Sequence, residues 1–141
     1  MKQKTRSVGA ACPKVNDSVN IGAYILSLDR ERKKNITVLK IVKLAYLAHG
    51  WHLGFYDAPL AIDDVEAWPY GPVFGRLYSA VRRFKGDPIE ELAGNFDLLT
   101  KQQKTLIGWV FDAYGDASDL ALSALAHQKG PNASHAPNRT I

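Results

Sequence analysis

A single cysteine, Cys12, stands in this 141-residue chain. That scarcity excludes a disulfide framework within the chain and any cysteine-cluster zinc site, and it suits a reducing compartment. Long apolar runs are missing too. No stretch approaches the roughly 18 consecutive apolar residues of a membrane-spanning helix, and Met1–Val15 holds no apolar segment of the signal-peptide kind, so a cytoplasmic protein with no membrane partner is expected. The glycines at 50, 54, 71, 75 and 86 compose neither a phosphate-cradling nor a dinucleotide pattern. No serine or cysteine sits in a strained turn beside a convincing base, which leaves nucleophilic catalysis without a candidate. Internal repeats and domain linkers are absent as well.

What is present suffices for one folded domain. Apolar residues make up 46% of the chain, enough to bury a core at this length without disulfides. The balance of 18 basic against 14 acidic residues gives a net charge of +4, but the charges are scattered, as on an ordinary solvated surface. We expect a polar, disordered leader over 1–15, a helical domain over 16–130 and a loose tail over 131–141, rich in Gly, Pro and Asn.

The chain is organised around 37–56, TVLKIVKLAYLAHGWHLGFY. Leu39, Val42, Tyr46 and Leu53 form one helical stripe, and Val38, Ile41, Leu44, Ala45, Ala48 and Trp51 another. A helix apolar on nearly every side belongs inside a domain. Thr37 is placed to cap its first turn, with Ile36 and Ile41 as a hydrophobic staple, and Lys40 and Lys43 are expected to pack their stems while the ammonium groups reach outward. The fold class implied is mainly α: a compact, single-domain helical bundle around this buried central helix, with a short extended or β segment near 60–67.

The flanking elements follow from the same signals. A first helix is expected over Asn16–Leu28, capped by Asn16 or Asp17 and ending in the mixed-charge run Asp29–Lys34. In AWPYGPV, residues 67–73, two prolines and a glycine forbid regular structure while two aromatics demand packing, which predicts a fixed turn; Pro72 then opens an amphipathic helix over Val73–Phe84. Its inward face is Val73, Leu77, Val81 and Phe84, and its outward face carries Arg76, Arg82 and Arg83, followed by Lys85. Ile89–Leu99 reads as a loop. Thr100 and Gln103 have capping-box spacing ahead of a helix that closes at Gly115, with Leu106, Val110, Ala113, Ile107, Phe111 and Tyr114 inward. A short last helix is expected from Asp116 or Ser118 to about Gln128.

Three constellations bear on chemistry. His49 and His52, three apart on the central helix, have chelating spacing, with His127 a conceivable third ligand; no carboxylate completes a zincin pattern, so core or surface histidines with hydrogen-bond partners, and no metal or cofactor, are expected. Arg76, Arg82, Arg83 and Lys85, near Tyr78, form the strongest basic surface, but no helix-turn-helix spacing or stacking platform accompanies them. Trp68 and Tyr70 are either core or, held on a rigid turn, anchors for a partner.

Taken together, these stretches resemble the Panacea-domain family, antitoxin-like proteins that include SocA and the phage-associated GepA proteins. The resemblance rests on KIVKLAY from Lys40, AHGWHL from Ala48, Pro59-Leu60, EAWPYGPV from Glu66, Leu77-Tyr78, Tyr114-Gly115, Leu122-Ser123 and Leu125-Ala126-His127. Two positions depart from the pattern: alanine stands at 126 where threonine is usual, and Gly130-Pro131-Asn132 lacks a following tryptophan. The resemblance implies a non-enzymatic antitoxin that neutralises a toxin encoded nearby through direct protein contact, in some members as an adaptor to a protease. It assigns motif positions to Lys43, Tyr46, His49, Trp51, Trp68, Gly71, Pro72 and His127. For the contact itself we single out Tyr70, Arg76, Arg82 and Arg83. The alternative is a nucleic-acid-binding phage or regulatory protein; a metal-dependent enzyme built on His49 and His52 is a third reading.

Overall fold

The computed structural model describes residues 16–69 and 71–117. Helices α1 (Ser18–Arg32) and α2 (Val38–Tyr56) are followed by strands β1 (Val65–Trp68) and β2 (Gly71–Phe74), then by helices α3 (Gly75–Val81) and α4 (Lys101–Tyr114). The architecture is mainly α and compact, and β1 and β2 form a two-stranded antiparallel hairpin. None of the described helices is long and apolar enough to cross a membrane.

Helix α2 is the centre because its sequence leaves it no polar face. Every residue from Ile41 to Gly50 is buried, and α1, α3, α4 and β2 all pack against it. The expected capping differs in one respect: Thr37 occupies the N-cap position but its side chain makes no cap hydrogen bond. Ile36 and Ile41 are both buried in the core, as a staple requires. The last turn leaves the core, with Phe55 and Tyr56 exposed, and Asp57 in the left-handed region at φ 53° ends the helix.

Helix α1 begins at Asp17, whose side chain accepts from Asn20 N at 3.0 Å, and runs one turn beyond the expected Leu28. The extra turn holds Asp29, which is buried rather than solvated because its Oδ1 accepts from Ile36 N at 3.2 Å and so ties the connection to α2. At the other end, the segment after α2 returns to clasp α1. Asn16 N donates to Leu60 O, Ile62 N donates to Asn16 O, and the Asp63 carboxylate accepts from both Ser18 N (2.8 Å) and Ser18 Oγ (2.5 Å). An acidic group over the first amides of a helix satisfies orphan donors and suits the dipole.

The helix expected over Val73–Phe84 is corrected by the structure. Pro72 and Val73 lie in β2, and the helix starts only at Gly75 and gives way to a 3-10 turn at Arg82–Phe84. Register explains why proline is tolerated in a strand. Trp68 faces Gly71 and Ala67 faces Pro72; with the closing pair exchanging hydrogen bonds, the next position in an antiparallel ladder needs no N–H. Gly71 takes φ 107°, which side-chain-bearing residues rarely adopt. The inward face survives the change, since Val73, Leu77 and Val81 are buried and Phe84 is half-buried.

Helix α4 has the expected capping box: Gln103 N donates to Thr100 Oγ1 at 3.1 Å and Thr100 N donates to Gln103 Oε1 at 2.9 Å. Of its inward positions, Leu106, Ile107, Val110 and Phe111 are buried, whereas Ala113 is exposed. Lys40 reaches the far end of this helix, its Nζ donating to Gly115 O at 3.0 Å. A cation there offsets the carbonyl end of the dipole.

Candidate partner-binding surface

The motif residues of α2 converge on the hairpin. Lys43 is fully buried, and its Nζ donates to Pro72 O at 2.8 Å, so the ammonium points inward, contrary to the expectation that it reaches solvent. Among the described residues no carboxylate pairs with it. Desolvation lowers its pKa to about 8. Tyr46, also buried, meets Phe74 with ring centroids 6.3 Å apart, and His49 stands edge-on to the same phenyl ring at 5.2 Å.

His49 is an acceptor. Leu60 N and Ala61 N both donate to its Nδ1, at 3.3 and 3.2 Å, which requires a bare nitrogen there and places the proton of the neutral ring on Nε2. Burial, helped by the neighbouring His52, lowers its pKa to about 4. His52 has the opposite tautomer, because its Nδ1 lies 2.7 Å from the Ala58 carbonyl, which can only accept. Its pKa is also lowered by burial, and its buried Nε2 has no hydrogen-bond partner among the described residues. Both rings therefore spend Nδ1 on the backbone of the 58–61 segment, as expected of core histidines. No group of His, Cys, Asp and Glu side chains suited to a metal ion occurs among the described residues.

Around this junction the structure separates two kinds of surface. The first is a cavity of about 290 Å³ between the start of α2 and the hairpin–α3 unit, with Leu39, Val42, Trp68 and Tyr78 among its walls and Arg82 and Lys85 at its rim. Trp68 and Tyr78 pack at 4.6 Å, and the Trp68 indole N–H donates to Glu66 Oε1 at 3.0 Å. Arg82 and Lys85 are exposed, and among the described residues neither has a carboxylate within ion-pair distance. Arg83 differs, being paired with Glu91 at 3.2 Å and stacked on Phe84 at 4.7 Å. Arg76 is exposed. Of the residues singled out for contact, then, Arg82 lines the cavity from the 3-10 turn, Arg76 stands on α3 just before it, Arg83 is already engaged, and Tyr70 lies outside the described residues.

The second surface is an aromatic cluster where the end of α2 meets α4 at Trp109. Trp51 stacks on Phe55 at 5.5 Å and meets Trp109 edge-on at 5.2 Å; His52 and Phe55 lean on Tyr56. Phe55 and Trp109 are 59% and 46% exposed, high values for large apolar rings. Phe55, Tyr56, Leu106 and Trp109 help to line an open groove of about 900 Å³ there. The sequence reading places Trp51 on an inward stripe of the central helix and does not assemble this cluster. A signal was available for Trp109, which borders the Leu106–Val110–Ala113 stripe on the side away from the second inward stripe.

His127 and the last expected helix lie outside the described residues, as do the leader and the tail. The family model for the antitoxin SocA-like Panacea domain matches residues 41–131. The chain belongs to this family. The match takes in α2 from Ile41 onward, the hairpin, α3 and α4 and leaves α1 outside. Comparison with curated proteins and with solved structures returns no match.

Proposed function

We propose that this Panacea-domain protein is a cytoplasmic antitoxin that neutralises a toxin encoded beside it by direct protein contact and without catalysis. Membership of the antitoxin SocA-like family is the observation that carries this reading. The geometry agrees with it: the most perturbed titratable groups, Lys43 and His49, are used in holding the hairpin and the 58–61 segment against α2 rather than opening onto a cleft. Perturbed groups of that kind belong to structural networks as well as to active sites. The contact is assigned to the hairpin–α3 face, with Arg76, Arg82 and Tyr70 retained as contact residues and Lys85 taking the place of Arg83.

An adaptor route, in which the antitoxin hands its toxin to a protease, adds a protease as a second partner. Co-expression with the product of the adjacent gene tests the proposal. Growth rescue together with co-purification is the expected result; neither rescue nor co-purification would overturn it. Nucleic-acid binding is the weaker reading, because the basic surface is interrupted where Glu91 neutralises Arg83.

A further inference from the structure

We infer that the cavity bounded by Leu39, Val42, Trp68, Tyr78, Arg82 and Lys85 is a peptide-docking pocket for a partner segment in which one large apolar side chain is flanked by carboxylates. The inference rests on the antitoxin reading and names the chemistry of the toxin segment that the hairpin–α3 face would hold. Two features define the occupant. At about 290 Å³ the cavity lies at the lower edge of small-molecule sites, a size for a single bulky side chain rather than a cofactor. Its walls are apolar and half-buried, since Leu39, Trp68 and Tyr78 are neither sealed in the core nor fully solvated. That is the setting of an anchor pocket in an interface.

Charge supplies the second feature. Arg82 and Lys85 stand three residues apart across the 3-10 turn, both reach the rim, and no carboxylate among the described residues answers them. Two of the nearby acidic side chains are engaged elsewhere, Glu91 with Arg83 and Glu66 with the Trp68 indole, and the exposed Asp87 and Glu90 form no ion pair with either cation. Two cations free beside an apolar pocket complement a segment with acidic residues on either side of its anchor, and such complementarity steers encounter and fixes register. A polynucleotide fits less well. Base stacking needs an open aromatic face, whereas Trp68 and Tyr78 lie 4.6 Å apart against each other, and a phosphate backbone needs a longer row of free cations.

The test uses the full chain and fluorescently labelled peptides in which a leucine or tryptophan is flanked by glutamates, with a matched set in which the glutamates are glutamines. The acidic peptide is expected to bind the wild-type protein, more weakly as salt rises. Binding should drop about tenfold in the Arg82→Glu/Lys85→Glu variant, through lost attraction plus new repulsion at two exposed sites, and in the glutamine peptide. Leu39→Asn, which makes the wall polar, should weaken it independently of salt. Both charge changes are on the surface, and an unchanged melting temperature will show that the fold is intact. Equal binding of the two peptides, loss of binding only in Phe55→Ser on the aromatic groove, or capture of a single-stranded oligonucleotide through Arg82 and Lys85 would each overturn the pocket assignment. Peptide binding without growth rescue would leave the pocket standing and remove the antitoxin reading; rescue that persists in the double variant would do the reverse.

Discussion

The two ends of α2 spend the same residue types in opposite ways. Toward its middle, Lys43, Tyr46, His49 and His52 are polar or aromatic and buried, and Lys43, His49 and His52 hydrogen-bond to backbone groups of the hairpin or the 58–61 segment. At its carboxyl end, Trp51, Phe55 and Tyr56 are aromatic and wholly or partly open to solvent, in contact mainly with one another and Trp109. The first arrangement orders loops that have little regular structure to hold them. The second leaves apolar area uncovered, which contributes little to the fold. Burial with a fixed partner therefore marks the residues the fold depends on, and exposure marks those that can change without unfolding it.

The sharpest break of this comparison is a truncation at each end. Phe74→Ala removes the ring that Tyr46 and His49 pack on and should cost about 3–5 kcal/mol in urea denaturation. Trp109→Ala should cost much less, about 1 kcal/mol, because its ring is already half in water. Comparable losses would mean that the aromatic cluster is a structural part of the core.

Acid and alkali both act on the buried stretch of α2. The unfolded His49 takes up a proton near pH 6.5 and the folded one only near pH 4, so stability should fall by about 3 kcal/mol as pH drops through that window, with His52 adding in the same direction. His49→Asn keeps an acceptor near the Nδ1 position and should flatten this slope. Lys43 works at the other extreme. Its folded pKa of about 8 lies below the unfolded 10.5, so the unfolded chain holds the extra proton between those values and stability should rise with pH across them, also by about 3 kcal/mol. In Lys43→Met that alkaline rise should vanish.

Helix starts give a smaller contrast. Thr100→Ala deletes one half of a complete capping box and should cost about 1 kcal/mol, while Thr37→Ala, at a cap position without a side-chain bond, should cost well under half of that. Thermal melts of the two variants side by side would show the difference.

Much of this fold was legible in the sequence wherever a signal was local. The Thr100–Gln103 box, a cap at Asn16 or Asp17, the buried span of α2 and the extended segment before Trp68 all depend on neighbours within a few residues. What escaped depends on distant ones. Pro72 reads locally as a helix opener; it becomes a strand residue because Ala67 faces it in the hairpin. Lys43 reads as a snorkelling cation, and turns inward because the Pro72 carbonyl, 29 residues away, offers it an acceptor. The same limit held at the surface. Arg82 and Arg83 are indistinguishable in the sequence, and only the position of Glu91 leaves one free and the other paired.

Growth of cells expressing the adjacent toxin, compared between the wild-type chain and its Arg82→Glu/Lys85→Glu variant at matched protein levels and matched melting temperatures, tests the central claim most directly. The account predicts rescue by the wild type and its loss in the variant. Equal rescue by both, or none by the wild type, would contradict it.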